Sequence, residues 1–242
     1  MNQTIDGKTQ DSRWKSLYKV GGVAALIAAA LLLAEIIVFT IWPQPNTVTD
    51  YFVLFQNNKL IGLLDFYLLE FFAYVLFIPM FLAISVAIRR GNESYIALAL
   101  TLAITGVAVF LATNNPFSML SLSNQYAAAT TGAQKELYLA AGQTILANTN
   151  QRAVEGFNIG FFLLSTAGMI ISIVMLRSKT FSKVIAYVGI LTFAISLVDY
   201  IRVVFMPSIS LLLLIIAVAS GLLILIWLVF IARRLLKLGQ QV

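Results

Sequence analysis

The sequence contains no cysteine and no histidine among its 242 residues. Without cysteine the chain has no disulfide bonds and no thiolate nucleophile, and without either residue type it has no Cys/His zinc site. The lack of histidine also excludes haem ligation by imidazole, Ser–His proteolysis and the usual proton carrier near neutral pH. Any chemistry must therefore come from carboxylates, Lys, Arg, Tyr, Ser or Thr.

Charged residues are also scarce, at 11% of the chain, against about 25% in an ordinary soluble domain. Hydrophobic residues make up 60%, and the mean hydropathy is +0.93. A soluble fold of this length has no interior large enough for so much apolar surface, so the composition indicates an integral membrane protein. The net charge of +6 does not predict a nucleic-acid partner, because the basic residues lie at predicted helix ends rather than in one stripe.

Six apolar stretches of about 20 residues or more are long enough to cross the roughly 30 Å of hydrocarbon in a bilayer as helices. The predicted fold class is an all-α integral membrane protein, a six-transmembrane-helix bundle with an external helical hairpin between helices 3 and 4. Pro207 predicts a tight outer turn between the last two spans. The predicted spans are 20–42, 62–88, 94–114, 157–176, 184–206 and 209–231.

The first span follows a polar segment, residues 1–19, and it is longer than the roughly 7–15 apolar residues of a signal peptide. We therefore expect the N-terminus to be retained as a cytoplasmic tail. Residues 20–234 then form one membrane domain, which includes an external helical segment at 115–156. Residues 235–242 form a second cytoplasmic tail.

Lysine and arginine are distributed unevenly between the two sides of this topology. Of the 16 basic residues, twelve fall on one side and three on the other, and Arg202 lies inside a span. Because cytoplasmic loops carry the excess of Lys and Arg, we expect a multi-pass cell-membrane protein with both termini in the cytoplasm. The cytoplasmic set is Lys8, Arg13, Lys15, Lys19, Arg89, Arg90, Arg177, Lys179, Lys183, Arg233, Arg234 and Lys237, and the outer set is Lys59, Lys135 and Arg152.

Two external segments carry helix signals. The stretch from Thr47 to Asp50 resembles a helix start, and half-apolar residues follow it, which predicts a short helix leading into the second span. In the segment 115–156, Thr131 and Gln134 have the spacing of a capping box. That spacing predicts a turn between two amphipathic helices that cap the bundle or lie on the bilayer.

Five ionisable residues fall inside the predicted spans, where each costs about 2.5–3.5 kcal/mol on insertion scales. By the helical rise, four of them lie in the outer third of the bilayer and the fifth, Glu70, lies nearer its middle. Three separate stretches that place charge at one depth predict a shared ligand or ion pocket. The predicted pocket residues are Glu35, Asp65, Glu70, Asp199 and Arg202.

Polar neighbours extend this pocket along the helices. Asp199 and Arg202 are three residues apart, so they share one face of the fifth span. Asp65 and Glu70 are five apart, about 140° around a helix, so we do not expect them to point to the same place. The supporting polar residues are Tyr74, which is one turn from Glu70, and Thr192 and Ser196, which continue the polar face inward.

Two interpretations of these charges remain open. In the structural one, Arg202 pairs with Asp199 and another acid and pins helices together, while other groups reach the interface. In the functional one, the charges line an outward-facing polar pocket on a non-enzymatic protein that binds a small ligand, a lipid or a partner. The alternative function is a proton- or cation-coupled small-solute transporter. The expected partners are membrane lipids and a small-molecule or cationic ligand.

Sequence motifs favour binding over catalysis. The two Asp residues inside the predicted spans occur as Leu64-Asp65-Phe66 and Val198-Asp199-Tyr200, without the Gly-x-Gly-Asp segment of intramembrane aspartyl proteases. No Walker A or Gly-x-Gly-x-x-Gly run occurs, so no phosphate-binding loop is predicted. An intramembrane enzyme using carboxylates is the third, least favoured hypothesis, and we expect no cofactor and no metal site.

Three stretches of sequence carry a family resemblance. Residues 115–119 read Asn-Pro-Phe-Ser-Met, residues 123–134 read Ser-Asn-Gln-Tyr-Ala-Ala-Ala-Thr-Thr-Gly-Ala-Gln, and residues 175–190 read Met-Leu-Arg-Ser-Lys-Thr-Phe-Ser-Lys-Val-Ile-Ala-Tyr-Val-Gly-Ile. Together they resemble the bacterial multi-pass membrane family called domain of unknown function 4386. The resemblance extends from about the first span to Arg234 and implies a single six-span unit with an ordered external segment. It implies no activity and no functional residues.

Overall fold

The computed structural model describes residues 13–149, 158–205 and 211–240, and within these ranges the secondary structure is helical, without a strand. The described helices are α1 (Lys15–Ile41), α2 (Val48–Asn57), α3 (Lys59–Asp65), α4 (Leu68–Ile88), α5 (Glu93–Thr113), α6 (Pro116–Ala128), α7 (Gly132–Asn148), α8 (Ile159–Arg177), α9 (Lys183–Phe205) and α10 (Leu211–Gln240).

Six of these helices are long and apolar enough to cross a membrane, namely α1, α4, α5, α8, α9 and α10. The predicted six-helix membrane fold is therefore confirmed. The helices run beyond several predicted spans: α1 begins at Lys15 and α10 continues to Gln240. The predicted turn at Pro207 lies outside the described residues.

Small residues let the spanning helices approach closely, as is typical of packing in lipid. In α5 and α8, Gly106 and Gly160 face one another, and a Cβ on either would lie within 3 Å of the other's carbonyl oxygen. In α1, Gly22 packs against Leu236 of α10. The resulting bundle places α1 against α4 and α10, α8 against α5 and α9, and α9 against α10.

The basic segments meet at one end of the bundle, which we call the basic end. Arg89, after α4, lies over the ring of Trp14 at 5.5 Å. The loop between α8 and α9 joins the same group, because the Thr180 hydroxyl donates to the Ala87 carbonyl at 3.1 Å and the Arg234 guanidinium donates to the Thr180 carbonyl. Four separated parts of the chain are thereby held together.

The opposite end carries a helical cap made of α2, α3, α6 and α7. Its core is a separate hydrophobic cluster that includes Tyr51, Phe52, Phe66 and Met119. The predicted helix at Thr47 is α2, and the predicted capping box is present at the start of α7. The predicted helix before the second span therefore exists as α2. The two predicted helices of the external segment exist as α6 and α7 and form the expected hairpin.

The second predicted span is not one helix, and this part of the prediction was wrong. The chain breaks between α3 and α4, where Tyr67 adopts a left-handed conformation with φ +61°. Two aromatic contacts hold the break: Phe66 packs edge-on against Tyr51 of the cap at 5.1 Å, and Tyr67 packs against Phe39 of α1 at 5.7 Å. Burying these rings on different partners stabilises a backbone conformation that a continuous helix does not contain.

Candidate functional site

A cavity of about 330 Å³ lies inside the bundle, between α1, α4, α8, α9 and α10. Its volume is at the lower end of the range for small-molecule sites, about 300–1,000 Å³. Most of its wall is aromatic or aliphatic. A few polar side chains from different helices interrupt this wall, which is the composition expected of a ligand pocket.

Five of the eight residues that sequence analysis assigned to a pocket line this cavity. They come from three helices that are far apart in the chain, so the bundle brings together groups that the sequence separates. They are Glu35 of α1, Glu70 and Tyr74 of α4, and Ser196 and Asp199 of α9.

The other three predicted residues do not line the cavity. Asp65 ends α3 and is fully buried in the cap region. Arg202 lies one turn beyond the cavity, where its Nε donates to Asp199 Oδ1 at 2.8 Å. Thr192 is buried, and its hydroxyl donates to the Val188 carbonyl of its own helix at 2.8 Å.

Glu35 and Glu70 form an acidic pair at the cap side of the cavity. Glu35 is only 5% exposed, and within the described residues its Oε1 has no hydrogen-bond partner. The two carboxyl groups interact electrostatically, and the Glu35 carboxylate also interacts with the backbone amide of Glu70. The helix break creates this arrangement, because it places Glu70 in the first turn of α4, where a helix N-terminus favours negative charge.

A stack of four aromatic rings crosses the bundle beside the acidic pair. Tyr74 stacks on Phe110 with a centroid distance of 4.0 Å, Phe110 on Phe161 at 5.1 Å, and Phe161 on Tyr200 at 6.0 Å. The stack links α4, α5, α8 and α9. It fixes the Tyr74 and Tyr200 rings in the cavity wall, and Tyr200 also forms a hydrogen bond with Ser165.

Sequence analysis missed several lining residues, including Tyr200, Ser165 and Ser220. Ser220 of α10 lies 3.1 Å from Ser196 of α9, hydroxyl to hydroxyl. These residues are common types in an apolar background, and their position against a cavity depends on how α8, α9 and α10 cross. Only Tyr200 had a detectable signal, since it follows the intramembrane Asp199 directly.

The end of the cavity that is nearer the basic end is apolar, with one polar feature. Trp227 of α10 lines it, and its ring packs edge-on against Phe193 at 5.1 Å. Among the residues the structure describes, neither the Trp227 Nε1 nor the Ser172 hydroxyl behind it has a hydrogen-bond partner. The indole therefore lies in the wall as an aromatic surface, and its Nε1 lies against Gly189 rather than in the cavity.

Polarity changes along the axis of the cavity. The lining of α4 begins at Glu70 and ends at Phe81, a distance of roughly 16 Å at the helical rise. The carboxyl groups of Glu35, Glu70 and Asp199 all lie in the cap-side half of their helices. The cavity thus has an acidic end toward the cap and an aromatic end toward the middle of the bundle.

Comparison with known protein families identifies the chain. The model of a family described as Domain of unknown function (DUF4386) matches residues 16–232. The chain belongs to the DUF4386 family. The match covers the cap and the spanning helices, the last of them as far as residue 232, so every residue that lines the cavity lies within the family domain. Searches of the curated proteins and of the solved structures gave no match to this DUF4386 chain.

The description of the DUF4386 family names no activity, and the structure adds a multi-pass membrane fold. The function of this DUF4386 domain therefore has to be argued from its cavity, whose acidic and aromatic ends are the most specific chemical feature of the described residues.

Proposed function

We propose that this chain is a non-enzymatic protein of the bacterial inner membrane, with both termini in the cytoplasm, that binds a small amphipathic molecule in the intramembrane cavity. The cap then faces the outside of the cell and the basic end faces the cytoplasm, as the excess of Lys and Arg favours. The ligand would enter from the outer side or from the outer leaflet.

The polarity of the cavity is the observation that carries this proposal. Its acidic end holds Glu35 and Glu70, whereas its other end is formed by rings such as Phe193 and Trp227. A ligand with one polar end and an apolar body satisfies both ends at once. Neither a fully polar solute nor a pure hydrocarbon does so, because burying an unmatched polar group costs free energy.

Binding is favoured over transport by what lies between the cavity and the basic end. The cavity lining ends at Phe81 and Leu228. Beyond it, in the part of the chain that the structure describes, the helices are packed by buried apolar residues such as Ile84, Met175 and Leu235. A transported solute needs a second, cytoplasmic path, and this packing supports a pocket that is closed on the cytoplasmic side.

The cavity contains its own reporter, Trp227. Replacing Trp14 and Trp42 with phenylalanine leaves a protein in which all tryptophan emission comes from the cavity wall. We would reconstitute this variant in nanodiscs and titrate three probes that share an apolar body: 4-phenylbutylammonium, 4-phenylbutanol and 4-phenylbutyrate. We expect at least one probe to change the Trp227 emission with a saturable dependence on probe concentration. The background is the effect of the same probe on a free tryptophan analogue mixed with empty nanodiscs, and the change at Trp227 should exceed it.

A blocking variant tests whether the signal comes from the cavity. Gly221 lines the cavity and a Cβ there meets nothing within 4 Å, so Gly221→Phe would fill the space and abolish saturable binding. The matched control is Gly132→Phe, since Gly132 begins the cap helix α7 and its Cβ also meets open space. If none of the probes bound saturably, or if Gly221→Phe bound them normally, the proposal would be wrong.

A further inference from the structure

We infer that the ligand of this cavity carries a single positive charge, an organic ammonium group, which lies between Glu35 and Glu70 with its apolar body directed toward Trp227. This inference rests on the proposed binding function and specifies the chemical class of its ligand.

The charge balance of the cavity is negative. Three carboxyl groups line it, and no lysine or arginine of the described residues does. Asp199 is already paired with Arg202 at 2.8 Å. Glu35 and Glu70 therefore have no cationic side chain in the cavity wall to balance them, and an incoming cation would be attracted to this pair rather than to Asp199.

The environment of Glu35 indicates a missing donor. Its side chain is 95% buried, and Oε1 contacts no donor among the residues that the structure describes. A buried carboxylate oxygen without a donor is destabilising because it loses its hydrogen bonds to water without replacement, and a neighbouring like charge adds to that cost. Because Glu70 is the neighbour that interacts with it, a single N–H donor carrying positive charge would relieve both costs.

The wall around the pair favours an organic cation over a metal ion. Calcium and magnesium require six or more oxygen ligands, and the described residues contain no group of three or more His, Cys, Asp or Glu that could hold a metal ion. The wall instead presents the rings of Tyr74 and Tyr200. Aromatic faces stabilise an ammonium group through cation–π attraction and accept its apolar substituents.

The length of the cavity determines the orientation of the ligand. From Glu70 to Phe81 the lining of α4 extends roughly 16 Å, with acids at the first end and aromatic rings at the second. The ammonium group therefore lies toward the cap, and a body of several carbon atoms extends to the Phe193–Trp227 ring pair. Apart from this pair, the one acid in the described lining is Asp199, which is paired with Arg202, so a second cationic group would find no partner and the predicted ligand is a monocation.

The three probes described above test the charge directly, because they share one apolar body and differ in the terminal group. In the single-tryptophan protein we expect 4-phenylbutylammonium to bind at least about ten times more tightly than 4-phenylbutanol, and 4-phenylbutyrate to bind more weakly than the alcohol. Glu35→Gln and Glu70→Gln should each reduce ammonium affinity about tenfold or more, with little change in alcohol affinity. Glu93→Gln, at the exposed start of α5, is the matched control and should change neither affinity.

The outcomes separate the two proposals. If the alcohol bound as tightly as the ammonium probe, the cavity would be a ligand site but the acidic pair would share a proton instead of binding a cation, and this inference would be overturned. If a Glu variant weakened all probes equally, the residue would have a structural role only, which also contradicts the inference. If no probe bound, the binding function itself would fail.

Discussion

At the scale of single residues, Asp65 is a buried carboxyl group outside the spanning helices. It ends α3, its side chain is 0% exposed, and both of its oxygens have no hydrogen-bond partner within the described ranges. Burial in this apolar surrounding raises the pKa of Asp65 from 3.8 to about 6, because desolvation disfavours the charged form. The folded cap is therefore more stable when Asp65 is protonated than when it is ionised.

The burial of Asp65 predicts that the free energy of unfolding depends on pH. Since the folded-state pKa lies above the ordinary value, the contribution of Asp65 is complete below about pH 4 and is lost as the pH rises through about 6. The interval between 3.8 and about 6 sets an upper limit of roughly 3 kcal/mol, which solvent screening reduces. We expect the melting temperature in detergent to fall between pH 4 and pH 7, and Asp65→Asn to remove most of that fall.

The control for this measurement is Glu136→Gln, which changes an exposed carboxyl group on α7 of the cap. This control should leave the change of melting temperature with pH the same as in the unchanged protein. If the melting temperature of the Asp65→Asn protein fell with pH as steeply as that of the unchanged protein, the pH dependence would not come from Asp65.

The positions of single residues could be predicted from the sequence where they depend on the geometry of one helix alone. The spacing of Asp199 and Arg202 predicted that they share one helix face, because i and i+3 side chains meet on any helix. The ion pair that the structural interpretation placed there is present at 2.8 Å. The depth of Glu35 along α1 follows equally from the helical rise. Which residues face a common cavity depends on how helices cross, and for this reason Tyr200 and Ser220 were missed.

At the scale of helices, the break before α4 shows where local sequence signals end. Neither Phe66 nor Tyr67 is a glycine or proline, so nothing in the local pattern predicted a left-handed residue there. The break is stabilised by ring contacts to the cap and to α1, which are far away in sequence. The capping box of Thr131 and Gln134, by contrast, is formed within one turn and was predicted correctly.

The contact between α8, α9 and α10 depends on Gly189. A Cβ added there would lie 2.5 Å from Trp227 Nε1 and even closer to the Ser172 hydroxyl. The serine can rotate away, but the indole is held by Phe193, so Gly189→Ala must push helices apart. We expect a loss of about 1–3 kcal/mol, measured as a lower melting temperature in the same detergent, together with changed Trp227 emission.

Gly221→Ala is the matched comparison, because it also adds a methyl group to a glycine within a spanning helix and meets nothing within 4 Å. That change should be neutral or stabilising by up to about 1 kcal/mol through helix propensity. Equal effects of the two changes would mean that Gly189 is not a close-packing position.

At the scale of the whole molecule, composition and the length of the apolar stretches predicted the class and the number of spans correctly, because a helix of about 20 apolar residues has few alternatives in lipid. The neighbours of each helix were not predictable in this way. The spanning helices are apolar on nearly all sides, so their faces carry little information about partners. Close contacts such as Gly106 with Gly160 are read only from the assembled bundle.

The absence of cysteine makes the predicted orientation directly testable. A single introduced cysteine is the only thiol in the chain, so a membrane-impermeant maleimide reports its side of the membrane without background. Ala128→Cys places a thiol on the exposed end of α6 in the cap, and Ser94→Cys places one on the exposed first turn of α5 at the basic end. The two sites lie at opposite ends of the bundle.

If the basic end faces the cytoplasm, as the distribution of Lys and Arg favours, the Ala128→Cys protein reacts in cells whose outer membrane is made permeable and whose inner membrane is intact. The Ser94→Cys protein then reacts only after the inner membrane is lysed. The reverse pattern would place the acidic end of the cavity on the cytoplasmic side, and the ligand would have to come from inside the cell. Labelling of both sites before lysis would mean that the chain inserts in two orientations.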